Sequence, residues 1–165
     1  MREIGPLATA LDRLDAQGYV NVDRQTMRQV EPWLRWSPVF CALVMATGTV
    51  LASPWILWAL AITAALGTLL PSHPFDYVYN LGVRRLTGTP PLPPSGAPRR
   101  FACGMATVWL VGTGAAFAAD LTVLGYVLGG ILTAVAALVG TTHFCIPSLV
   151  YGLIFGRPQC SAGQP

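Results

Sequence analysis

Lysine is absent from the 165 residues and acids are few: ten arginines and seven Asp or Glu leave 10% of the chain charged, against roughly 25% in soluble globular proteins. So little charge cannot cover the surface of a water-soluble domain, and lipid is the expected solvent. A mean hydropathy of +0.55 agrees. The N-terminus also lacks an apolar core behind Arg2 and Glu3, so no cleaved targeting peptide is expected.

Charge is missing altogether from residues 36–70. One continuous helix there would be about 52 Å long, whereas a hydrocarbon core is about 30 Å thick. The run must fold back, and Pro54 in Leu51-Ala-Ser-Pro-Trp55 marks the place, because proline has no amide donor and suits a first helical turn. This predicts helices over about Trp36–Ala52 and Pro54–Leu70. A second uncharged stretch, 101–119, meets Asp120, and 121–155 follows without charge. Asp120 is the expected tip of a second hairpin, between helices over about Phe101–Ala119 and Leu121–Phe144. The apolar remainder, Pro147–Phe155, is too short to cross and is expected at the interface or against the bundle. The expected fold is all-α: four transmembrane helices in two hairpins, with short amphipathic helices before them.

The arginines are one-sided. Five precede the first hairpin (Arg2, Arg13, Arg24, Arg28, Arg35), four lie between the hairpins (Arg84, Arg85, Arg99, Arg100) and Arg157 follows the second, with none beside Pro54 or Asp120. Positive segments stay cytoplasmic, so both termini and the central loop are expected inside a bacterial cytoplasmic (inner) membrane. Exclusive use of arginine, with much Ala and Gly, fits a GC-rich bacterial genome. The expected organisation is an N-terminal segment over 1–35, a transmembrane domain over 36–157 with its central loop at 71–100, and a tail over 158–165.

Residues 1–35 hold five acids and five arginines. Leu7, Leu11 and Leu14 form one narrow stripe, ended by Gly18; Met27, Val30 and Leu34 form another after Asp23, a suitable cap. The stripes fit helices lying on lipid headgroups, with a partner-docking surface as the alternative. The proline-rich stretch Gly88–Phe101 reads as a stiff spacer rather than a ligand for an aromatic groove. Arg99 and Arg100 are then expected at the headgroup boundary.

The two hairpin ends echo each other. Pro71-Ser72 and Pro147-Ser148 are each followed by Val-Tyr, then by Arg85 and Arg157, with a gap of four residues needed to align them. The stretches APRRFACGMATVWL (97–110), HPFDYVYN (73–80) and FCIPSLVYGLIFG (144–156) resemble an uncharacterised bacterial family of small four-pass integral membrane proteins, a domain of unknown function, over most of the chain from about Asp23 to Arg157. The resemblance implies no activity. Many relatives carry Cys-x-x-Cys where this chain has Cys145-Ile-Pro-Ser148, which removes the second thiol of that pair.

The spans lack any Lys, Arg, Asp or Glu away from their ends, which counts against a proton-coupled or charged-solute transporter. Thr47, Thr49, Thr63, Thr107, Thr113 and Thr133 are expected to bond within their helices, and Gly104, Gly112, Gly129 and Gly130 to permit close packing. Cys41, Cys103, Cys145 and His143 fall near the cytoplasmic helix ends, with His73 and Cys160 just outside. Thiol and imidazole suit zinc or copper, and histidine beside cysteine suits a nucleophile, so Cys145 with His143 is the candidate thiol site. The spacing matches no recognised metal motif, buried cysteine commonly acts as a small hydrophobe, and a haem clamped between two histidines would have only His143 at the edge of a span. The plainer expectation is therefore no metal, no cofactor and no intrinsic catalysis.

The function expected is a small scaffold or accessory subunit. Its expected partners are the bilayer, a larger membrane complex and, as a further candidate, a cytoplasmic protein, not nucleic acid, with Gly129, Gly130, Arg99 and Arg100 as interface candidates. The alternative is a membrane thiol or sulfur-handling protein that works through Cys145 with a thioredoxin-like or sulfur-transfer partner.

Overall fold

A computed structural model describes residues 6–19 and 22–156, with side chains from Ala10 onward. Every regular element among them is helical: α1 Pro6–Ala16, α2 Arg24–Leu34, α3 Trp36–Val50, α4 Pro54–Leu69, α5 Pro74–Val78, a π-helical turn Tyr79–Val83, α6 Arg84–Thr87, α7 Ala97–Ala118, α8 Thr122–Thr142 and α9 Ile146–Phe155. Expectations for Arg2, Glu3, the Leu7 side chain, Arg157 and Cys160 lie outside the described residues.

Both hairpins form where the sequence places them. Pro54 opens α4, and the two tips turn on residues with positive φ, Ala52 at 45° and Asp120 at 57°. Aspartate visits this left-handed region readily; alanine does not. By length and apolarity α7 and α8 suffice to cross a membrane, and α4 with the following Pro74–Thr87 segment, bent by 81°, makes a third candidate if taken as one broken span. At 15 residues, α3 is about 22 Å long, short of the full core.

Boundaries shift where proline acts as a helix starter. Pro98 lies in the first turn of α7, so the helix begins at Ala97 and carries Arg99 and Arg100 inside it, rather than ahead of it. Pro147 likewise opens α9, and the chain pauses only at residues 143–145. The central segment 71–100 is not all loop: Pro74–Thr87 is helical, ends on Gly88 at φ +66°, and leaves 88–96 without regular structure.

In the bundle α4 packs on α7, α3 on α8, and α7 on both α8 and α9. Met45, Leu57, Leu60, Leu110, Phe117 and Leu132 form its core. Thr47, Thr63, Thr107 and Thr113 bond carbonyls four residues back; the Thr49 and Thr133 hydroxyls have no partner. A second core sits at the arginine-rich end, where Leu11, Leu14, Met27, Val30 and Leu34 close over Tyr79 and Leu92. The N-terminal stripes thus face protein, not headgroups, because the central segment supplies apolar partners. Asp23 does cap α2, accepting from the amides of Gln25 and Thr26. Gly18, at φ +96°, lies so near the linker that a Cβ there would stand 2.8 Å from the Gly96 Cα.

Candidate functional site

The ends of α4 and α8 expose their last carbonyls, and arginine and glutamine side chains satisfy them. Arg100 donates to the carbonyls of Thr68 and Leu69 at 2.8 and 3.0 Å. Arg13 donates to Thr142 O at 2.7 Å, Gln17 to His143 O at 2.7 Å and Arg35 to Thr141 O at 3.1 Å. Positive charge there also suits the helix dipole. These bonds fix α1 and α2 as a roof over the break at residues 143–145, where His143 adopts the left-handed conformation at φ 56°.

Beneath the roof is a cavity of about 250 Å³, walled by α3, α4, α7, α8 and α9. Its walls are mostly apolar, yet Cys41, Cys103, Cys145, His73, His143 and Arg99 all reach it. The sequence placed the thiols and His143 at one end of the bundle; the fold brings them, with His73, onto one space. All three cysteines are free thiols. Among the described residues, no group of three or more His, Cys, Asp or Glu is arranged to hold a metal ion.

The histidines differ from the pairing drawn from sequence. His143 does not face Cys145 as an activating partner: its Nε2 lies 2.8 Å from Glu31 Oε1 and 3.0 Å from Arg35 Nε, while Arg35 also bonds Glu31 at 2.7 Å. Burial holds His143 below its usual pKa, against the pull of Glu31. For Glu31, burial pushes the other way, but hydrogen bonds from Arg35 and His143 prevail and lower it. Arg35 Nε–H points at the same imidazole nitrogen that Glu31 approaches, so Arg35, Glu31 and His143 form one hydrogen-bonded cluster.

His73 is the histidine beside a thiol. Its Nδ1 accepts from the Phe75 amide at 3.4 Å, capping α5, and its Nε2 lies 4.0 Å from Cys41 Sγ. The cap leaves the ring proton on Nε2. Burial, with Arg99 adding to it, pushes the His73 pKa down to about 4, so the ring is neutral near pH 7. Gly67 makes this placement possible, since a Cβ there would stand 2.6 Å from His73 Cδ2 and 3.3 Å from Cys103 Sγ.

Arg99 is buried and charged, held by the Tyr19 hydroxyl and by Asp76 Oδ2 at 3.4 Å, with its guanidinium over the Tyr19 ring at 5.6 Å. Burial raises the Asp76 pKa and Arg99 opposes it; burial likewise raises that of Tyr19, again opposed by Arg99. Sequence reasoning missed Tyr19, Glu31, Gly67 and Asp76. Only Asp76 left a trace, as an acid inside the apolar HPFDYVYN stretch. Of the interface candidates, Gly129 is pressed against Thr49 inside the bundle, while Gly130 faces open space.

Cys145 is the N-cap residue of α9, with extended backbone, 9% exposed, and Ser148 one turn on is 2% exposed with an unpartnered hydroxyl. A second thiol at position 148 would therefore sit one turn from Cys145 on the same short helix, as Cys-x-x-Cys requires.

Neither a curated protein nor a solved structure matches the chain. A family described as a domain of unknown function (DUF4395) matches residues 31–155, a range that takes in α3 to α9 and leaves out α1. The match covers well over half of the 165 residues, and the chain belongs to the DUF4395 family.

Proposed function

We propose that this protein is a four-pass protein of a bacterial inner membrane, with both termini and residues 71–100 cytoplasmic, that handles thiol or sulfur chemistry in concert with a thioredoxin-like or sulfur-transfer partner. The observation that supports this over a purely structural role is the convergence of Cys41, Cys103 and Cys145 on one cavity beneath α1 and α2. Cys145 is the exchanging thiol, because it is the N-cap of α9, in the break at the arginine-rich end, whereas Cys41 and Cys103 lie within α3 and α7. The partner brings a persulfide; the Cys145 thiolate attacks its outer sulfur, forming Cys145–S–SH and releasing the partner's thiolate. Reaction of the purified protein with a persulfidated carrier, followed by peptide mass spectrometry, tests this. One added sulfur on Cys145, abolished by Cys145→Ser, is expected; no adduct on any cysteine would end the reading.

A second reading, an accessory subunit of a larger membrane complex without catalysis of its own, draws on Gly112 and Gly130, which face open space on α7 and α8 and would admit a neighbouring helix closely. Gly130→Leu should then reduce what co-purifies from native membranes. Unchanged co-purification would remove Gly130 from any interface.

A further inference from the structure

The cavity has a side mouth. Met105 on α7, Ile131 on α8 and Ile146 at the start of α9 line it and are 40, 47 and 43% exposed, on helices whose outer faces are apolar. A ligand therefore has a route in from lipid. At about 250 Å³ the space is smaller than the roughly 300–1,000 Å³ of drug-sized pockets; it accommodates one ring, with any tail left in the mouth.

The cavity's charges do not call for an ionic guest. Arg99 is already neutralised by Asp76 and bonded by Tyr19, and His73 is uncharged. What remains is a donor. His73 is 4% exposed, its Nδ1 is occupied by the Phe75 amide, and its Nε2–H has only the Cys41 sulfur, at 4.0 Å, for company. A buried N–H without an oxygen or nitrogen acceptor is costly, and a carbonyl would relieve it. Trp109, fixed by its Nε1–H on Leu128 O at 3.1 Å, lines the same space and offers an aromatic wall.

We infer that the cavity binds the uncharged, carbonyl-bearing ring of a membrane quinone, with His73 Nε2–H donating to a ring oxygen and the tail leaving between α7, α8 and α9. The inference holds whether or not Cys145 exchanges sulfur with a partner. Quinones quench tryptophan fluorescence, so the test is a titration of the full chain in nanodiscs with a short-tailed benzoquinone. Saturable quenching is expected. Trp109→Phe should remove its saturable part while Trp55→Phe, at the opposite end of α4 and 76% exposed, should not. His73→Ala should weaken binding roughly three- to tenfold, the worth of one neutral hydrogen bond. Ala106→Leu, at the wall, should block binding by filling the space, so the proposal does not rest on the histidine variant folding well. Oleate added in excess should leave the titration unchanged. Quenching that rises linearly with added quinone, indifference to Trp109→Phe and Ala106→Leu, or full displacement by oleate would overturn it.

Discussion

At the scale of the residue, Gly67 and His73 decide whether the cavity exists in this form. His73 is fixed by its cap on α5 and by α4 at Gly67, so Gly67→Ala cannot be absorbed by a free rotation. It should destabilise the protein by about 1–3 kcal/mol, the usual cost of overpacking, read as a lower unfolding midpoint in detergent. His73 also makes a pH prediction. Its folded pKa of about 4 lies below the ordinary value of about 6.5, so the fold favours the neutral ring. That stabilisation is complete above pH 6.5 and is lost as pH falls from there toward 4, about 3 kcal/mol in all. His73→Asn keeps a side chain suited to capping and should flatten this part of the stability profile; an unchanged profile would mean that His73 is not the buried neutral group described.

At the scale of the element, the roof depends on a backbone contact. A side chain at Gly18 would meet the Gly96 backbone at 2.8 Å while holding a φ of +96°, so Gly18→Ala should cost about 1–3 kcal/mol and loosen α1 from the linker. Faster amide exchange at residues 139–143, whose helix end Arg13 and Gln17 secure, is the local readout. The hairpins were legible because Pro54 and Asp120 interrupt runs too long for one crossing, and Asp23 because its capping chemistry is local. The role of the amphipathic stripes was not legible: Leu11, Leu14, Met27 and Val30 show which face is apolar, but not that Tyr79 and Leu92, distant in sequence, cover it. The start of α7 shifts from about Phe101 to Ala97 because proline in a first turn leaves the same mark in sequence as proline that ends a helix.

At the scale of the whole molecule, the arginine-rich end holds the cavity with its thiols and histidines, and the Pro54–Asp120 end holds the turns. The proposed orientation is checked with impermeant thiol labels on single cysteines placed at Ser95 and at Asp120 in an otherwise cysteine-free chain: in intact cells Asp120→Cys should label and Ser95→Cys should not, and the reverse pattern would invert the topology. The convergence of the site was only partly readable. Sequence brought Cys41, Cys103 and Cys145 to one end, but the His73–Cys41 pairing and the diversion of His143 to Glu31 depend on how α4 turns into α5 and how α2 crosses the end of α8. The shared cavity is the central claim, and intact-mass measurement during slow alkylation by N-ethylmaleimide tests it most directly, in a Cys160→Ser chain. One adduct should fill the space and protect the other two thiols, so the mass should pause at a single addition. Steady accumulation of two and three adducts at independent rates, or no reaction at any of the three, would contradict a common, reachable chamber.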